Sequence, residues 1–318
     1  SIADREECPL YDGLELEPQL GLVPVGRDPH SGLWEFGHLQ TGEIPRRDRG
    51  GRLVITEETG LVFVLIPGGV FWMGAVASEE ESADSGGAAI DAHAEEQEGP
   101  AHPVTLAPFF LSKQEMTQGQ WLRVTGRNPS LYRPGSRIGG ISHSLTHPVE
   151  QVSWKECERV LGRLGLLLPT EAQWEYAARG GTGTVWWTGD EPESLAGACN
   201  LRDRFCKENG APAAWSYDEW LDDGFVAHAP VGSYRANPFG LHDVTGNVWE
   251  WCRDWFASYE RPVNEADGER RTGPTRGRVN RGGSWSTPAL RARTALRFRN
   301  APTFRGSNLG LRPARSVD

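Results

Sequence analysis

The chain has 318 residues and a formal net charge of −10, with 38% hydrophobic and 24% charged residues. That is the mixture of a folded protein with room for one large core or two modest ones. The negative balance excludes a nucleic-acid binder acting through overall charge, because such binding needs a positive footprint. No apolar run approaches the roughly 20 residues needed to cross a bilayer, so no membrane partner is expected.

In chain order, the first fifty residues are rich in Gly, Pro and charge, with isolated apolar anchors at Leu33, Trp34 and Phe36. They read as an ordered extension, residues 1–52, packed on or leading to a main domain at 53–318. Ser1 stands where a Met would, which reads as a processed form or a piece of something longer, and the first residues lack the basic start and apolar stretch of a secretory leader. Two β segments are expected at Leu53–Ile55 and Leu61–Ile66, then a Pro67-Gly68-Gly69 turn into a short strand at Val70–Met73. From Glu79 to Pro100 the chain is acidic and aperiodic, which predicts a solvated loop. Strands at Val104–Leu106 and Phe109–Ser112 precede a helix opened by Thr117. Ser153 is the expected cap of a second helix on which Val160, Leu161 and Leu164 recur at helical spacing. Thr170 and Gln173 have capping-box spacing for a third, stopped by Gly180.

After Gly181 no further helix is predicted. Trp186, Trp187, Trp215, Trp220, Trp249, Trp251, Trp255 and Trp285 punctuate this half, and large flat side chains let a loop-rich fold build a core. The five cysteines, Cys8, Cys157, Cys199, Cys206 and Cys252, form no CxxC pair. They fit free thiols in a reduced cytoplasmic protein, although Cys199 and Cys206 are close enough in sequence for a local disulfide. From Arg276 onward the chain holds Arg278, Arg281, Arg291, Arg293, Arg297, Arg299, Arg305, Arg312 and Arg315, and no acid before Asp318. These arginines are read as partners of acids elsewhere, with Glu250 and Asp254 as candidates, ahead of an anionic ligand.

Taken together, "PGGVFWMG", "HPVTLAPFFLSKQEMTQGQW", "HPVEQVSW", "LPTEAQWEYAARGG", "GLHDVTGNVWEWCRDW" and "RVNRGGSW" with its arginine-rich sequel resemble the formylglycine-generating-enzyme, sulfatase-modifying family from about Val62 to Arg315. The resemblance implies an α+β fold of the C-type lectin-like kind, with little regular secondary structure, a few helices and small antiparallel sheets. It also implies three possible activities: copper-dependent oxidation of a substrate cysteine, iron chemistry of sulfur-containing histidine metabolism, or binding without catalysis. Fold alone does not choose among them.

The oxidases need two cysteines shortly after the GGS segment, because paired thiolates hold Cu(I). Here Ser284-Trp285 is followed by Ser286 and Thr287, and no cysteine occurs after Cys252. No copper is therefore expected. The iron alternative needs clustered histidines, whereas His93, His102, His143, His147, His228 and His242 read as scattered through loops and strand edges. Ser284, Arg297 and Asn308 match positions that line the peptide groove of the oxidases, while tight-turn hydrogen bonding is the competing role for Ser284 and Asn308. The resemblance also implies structural Ca²⁺ at two sites, one from Asn200, the Leu201 carbonyl, Asp223 and the Phe225 carbonyl, the other from carbonyls at Gly246 and Val248 with the Glu250 carboxylate.

Between the fixed residues of the C-terminal segment lie Ser286, Thr287, Leu296, Phe298, Ala301, Thr303, Phe304, Gly306 and Ser307. The arrangement resembles the variable region of proteins diversified by retroelements, each of these residue types being reachable from an Asn codon by changing adenines. With Trp285, such a surface would suit a protein or other macromolecular partner, since aromatics and Arg are favoured at binding hot spots. The lead-in "QLGLVPVGRDPHSGLWEFGHLQTGEIPR" resembles that of similar domains attached to bacterial serine/threonine kinases, but kinase motifs are missing. The expectation is a monomeric, non-enzymatic ligand-binding protein on a calcium-stabilised scaffold. The alternative is an atypical formylglycine-type oxidase or other enzyme using the groove.

Overall fold

Every side chain of Val62–Ile66, sequence VFVLI, is buried. An unbroken apolar run of this length suits a strand covered on both faces, and it is the central strand of a five-stranded sheet in the computed structural model, which describes residues 1–78 and 87–317. The order across the sheet is Leu22–Arg27, Trp34–His38, Val62–Ile66, Phe109–Ser112 and Ala314–Ser316, with all neighbours antiparallel. Val64 lies opposite Leu111, and Leu111 opposite Ala314. The N-terminal extension thus packs on the domain by strand addition, with a bulge between Pro24 and Gly26 bending its outer strand.

The second sheet runs Phe298–Asn300, Arg278–Arg281, Trp249–Trp255 and Leu309–Gly310, its last pair parallel. Helices Gln118–Thr125, Trp154–Gly162 and Glu171–Arg179 pack around the sheets, opened by Thr117, Ser153 and Thr170 as the sequence predicts. Thr117 with Gln120 and Thr170 with Gln173 form complete capping boxes. Gly180 ends the third helix at φ 58°. Few helices and small sheets make up the C-type lectin-like α+β fold. Trp186, Trp249, Trp251 and Trp285 are buried and Trp187, Trp215, Trp220 and Trp255 half-buried, so the tryptophan punctuation is only partly core.

Three expectations change. Leu53–Ile55 is no strand, contributing one bridge between Arg47 and Leu53, because its neighbours in space are loops. A five-residue helix, Arg204–Glu208, follows Gly181 after all; Asp203 caps it by accepting from the Cys206 N–H at 2.8 Å, a device with too few residues to show periodicity. Of the acidic stretch, residues 79–86 lie outside the described residues, and the remainder is not simply solvated. Ala89–Ile90 pairs with Ala75–Val76, and Asp91 and Glu98 are buried.

Those two acids hold Arg293, whose terminal nitrogens donate to Glu98 at 2.8 Å and to Asp91. Glu171 binds Arg297 at 2.6 and 2.7 Å and Arg281 at 3.3 Å; Glu175 binds Arg179 and Arg281. Arg312 donates to Glu250 at 2.7 Å, and Trp174 Nε1 donates to its other oxygen, also at 2.7 Å. The arginine-rich ending is largely internal wiring. Arg278 is held differently, its guanidinium 3.6 Å from the Trp154 ring centre and 3.9 Å from that of Trp255. Asp254 corrects the expected list: it accepts backbone N–H groups of Glu171 at 2.7 Å and Arg270 at 2.8 Å, and no arginine side chain among the described residues.

Two outcomes follow from this core. Replacing Arg312 with Met leaves Glu250 buried with the Trp174 indole as its remaining partner, and should cost about 3–5 kcal/mol in urea denaturation. Burial, reinforced by Glu171, pushes Asp254 up to about 7 from 3.8. The folded chain then keeps a proton that the unfolded chain has lost, so this carboxyl's contribution to stability declines as pH rises through that window. Melting profiles from pH 4 to about pH 7 should decline less steeply in Asp254→Asn than in the wild type; parallel profiles would reject the assignment.

Candidate functional site

The chain turns sharply after the Arg278–Arg281 strand because Gly282 and Gly283 adopt φ of 95° and 78°, values a side chain disfavours. A Cβ on Gly283 would lie 2.6 Å from that of Ala292, so the turn is closed on both counts. It delivers Ser284 into a hydrogen-bonded cluster. The Ser284 N–H donates to Thr287 Oγ1 at 2.9 Å, Ser284 Oγ lies 3.1 Å from Ser286 Oγ, and Asn308 Nδ2 donates to Ser286 Oγ at 2.9 Å. Trp285 Nε1 donates to the Ser307 carbonyl at 3.3 Å, tying the turn to the segment Gly306–Asn308.

Ser284 and Trp285 are buried, while Ser286, Thr287, Ser307 and Asn308 are half-buried and reach the surface. Phe298, Ala301, Thr303 and Phe304 are exposed around them, Phe298 resting on Trp249 with ring centres 5.6 Å apart. Three further residues expected at the surface are not there. Leu296 is in the core, and Arg297 is buried on Glu171, which it shares with Arg281, with further bonds to the Gln97 and Ala257 carbonyls. Gly306 is also buried, and a Cβ there would come within 2.9 Å of Asn308 Oδ1. The cysteines are all free and buried, and burial pushes the thiols of Cys157, Cys199 and Cys252 well up and that of Cys206 to about 12.

The two sequence-derived oxygen clusters fare differently. Asp223 is half-buried, its carboxyl raised by desolvation and by Asp203, and it accepts the N–H groups of Leu201 and Phe225 at 2.8 Å. Asn200 Oδ1 beside it is buried without a partner among the described residues. An acid and an orphaned carbonyl oxygen with no cation paired to them fit a hard ion such as Ca²⁺. The Gly246, Val248 and Glu250 set does not fit, since both Glu250 oxygens are occupied by Arg312 and Trp174.

The histidines depart most from expectation. His143, His147 and His228 are buried and converge, one ring nitrogen from each lying within 4.8 Å of the others. Ring centres are 4.9 Å apart for His143 and His147, and 5.3 Å for each with His228. Desolvation lowers all three, His147 to about 4, so the rings are neutral at pH 7. Tyr132 stacks on His143 at 5.5 Å and meets Trp285 edge-on at 5.6 Å, which joins the cluster to the Ser284 turn. Glu150, pushed by burial to about 7, places Oε1 3.9 Å from His228 Nε2. The sequence signal was the four-residue step from His143 to His147, but it falls in a loop and His228 comes from a distant one, so no periodicity linked them.

The family model "Sulfatase-modifying factor enzyme 1-like domain" matches residues 55–317. The formylglycine-generating enzyme of Streptomyces coelicolor is 33% identical over 305 residues, covering 80% of this chain and 89% of that protein. Serine/threonine-protein kinase pkn1 of Chlamydia pneumoniae is 29% identical over 274 residues, covering 80% of this chain and 38% of the kinase. Treponema denticola variable protein 1 superposes with a TM-score of 0.63 at 22% identity over 83% of this chain and 98% of that one, a likeness of fold.

Proposed function

The chain belongs to the sulfatase-modifying factor enzyme 1-like family, and we propose that within it this protein binds a macromolecular ligand and does not oxidise cysteine. What carries the reading is the chemistry at the Ser284 turn. Its side chains are hydroxyls bonded to one another and to Asn308, while the thiols lie buried elsewhere. Hydroxyls do not hold Cu(I) as paired thiolates do. Around the turn, Ser286, Thr287, Ser307 and Asn308 offer adaptable hydrogen bonding beside the exposed rings of Phe298 and Phe304, at 49% and 43% exposure. Aromatic anchors among polar groups suit a protein partner. The name of one structural relative, a variable protein, accords with exchangeable residues set between fixed ones.

Calcium enters the proposal as a structural ion at the Asn200 and Asp223 cluster, where it would neutralise a half-buried acid and partner the orphaned Asn200 oxygen. It would hold the 200s and 220s loops together and take no part in chemistry. Because a ligand that binds the folded state raises its stability, chelation with EGTA should lower the melting temperature, and elemental analysis should find calcium. An unchanged melting temperature with no calcium would reject this assignment. For activity, incubation with Cu(I), oxygen and a cysteine-containing peptide should give no aldehyde above a protein-free blank; turnover above that blank would overturn the binding-only reading.

A further inference from the structure

Three imidazoles face one another in the interior with too few partners. Both ring nitrogens of His228 and Nε2 of His147 are buried without a hydrogen bond among the described residues. Two of the rings are held from outside. His143 Nδ1 lies 3.2 Å from Ser136 Oγ and 3.4 Å from its carbonyl, and His147 Nδ1 lies 3.1 to 3.2 Å from the N–H, hydroxyl and carbonyl of Ser144. An outer contact of this kind fixes the orientation of a metal-binding imidazole and leaves its inner nitrogen for the ion, while His228 has both nitrogens to offer.

We propose that His143, His147 and His228 form a mononuclear site for a divalent first-row transition metal, with zinc as the reference ion. Nitrogen donors without thiolate suit Zn²⁺, and equally Fe²⁺, Co²⁺ or Ni²⁺, whereas Cu(I) favours sulfur and Ca²⁺ favours oxygen. The nitrogens need to draw in from separations of up to 4.8 Å. Two ligands at about 2.05 Å from a tetrahedral centre sit roughly 3.3 Å apart, a contraction that side-chain torsions in loops can supply. Glu150 stands on the Nε2 side of His228 with Oε2 unpartnered, where a carboxylate orients a metal-bound imidazole. Three histidines leave a coordination position open. Tyr132 packs between His228 and Trp285 beside that position, and a water or a Lewis-basic group such as a carboxylate would complete the sphere.

This site is independent of the calcium assignment and of the binding reading, and the experiment keeps them apart. Untagged protein, with calcium present throughout to saturate oxygen-ligand sites, is stripped of transition metals and titrated with Co²⁺ and with Zn²⁺. One equivalent per chain is expected, with a visible ligand-field band for Co²⁺. His228→Gln and His147→Gln should weaken binding at least about tenfold, a loss of the size seen even for outer-shell changes, while exposed His93→Ala should not. X-ray absorption of the zinc-loaded wild type tests the ligands without relying on a variant's folding, and should show imidazole scattering from three ligands. Failure of the wild type to bind, equal binding by folded His228→Gln, or a spectrum without imidazole scattering would each overturn the site.

Discussion

The architecture depends on arginines of the C-terminal segment reaching back to buried acids of earlier elements. Arg281 and Arg297 meet on Glu171 of the Glu171–Arg179 helix, Arg293 joins Asp91 and Glu98 from the acidic stretch, and Arg312 locks Glu250. A buried ion pair contributes little net stability over a well-packed apolar replacement, yet an unpaired buried charge is severely penalised. The pairs therefore act chiefly against wrong arrangements. A loop-rich chain with short strands has weak register information of its own, and here matched charges supply it.

The same wiring explains which parts of the molecule could be read from sequence. The helix caps at Thr117, Ser153 and Thr170, and the strand Phe109–Ser112, rest on signals a few residues long and stand where the sequence puts them. The orientation of Leu296, Arg297 and Phe298 rests on which face of a non-periodic segment meets the helix, and only Phe298 points outward. Counting acids and arginines foretold that they would pair but not with whom, so of the two named candidates Glu250 holds an arginine while Asp254 accepts backbone N–H groups instead. The histidine trio was illegible for the same reason: His143 and His147 share one loop and His228 comes from a distant one, and tertiary structure alone brings them together.

At the candidate site the family's scaffold carries a cluster of hydroxyl side chains. The Gly282-Gly283 turn presents its third and following residues with a fixed backbone, so the identity of Ser284, Ser286 and Thr287 decides what the site can do. Nearby, Tyr132 bridges that turn to a nitrogen-rich interior. Function in such a fold resides in a few side chains placed on a common frame.

The strand Ala314–Ser316 forms one edge of the sheet that the N-terminal strands complete on the other side, and Arg312 donates to the Ser112 carbonyl across 200 residues of chain. During synthesis the Phe109–Ser112 edge emerges long before its partner does. A nascent chain must therefore carry an open apolar border until Ala314–Ser316 has been made, and pairings of such wide sequence separation form slowly. Shielding by a chaperone during that interval becomes part of what this topology demands of the cell.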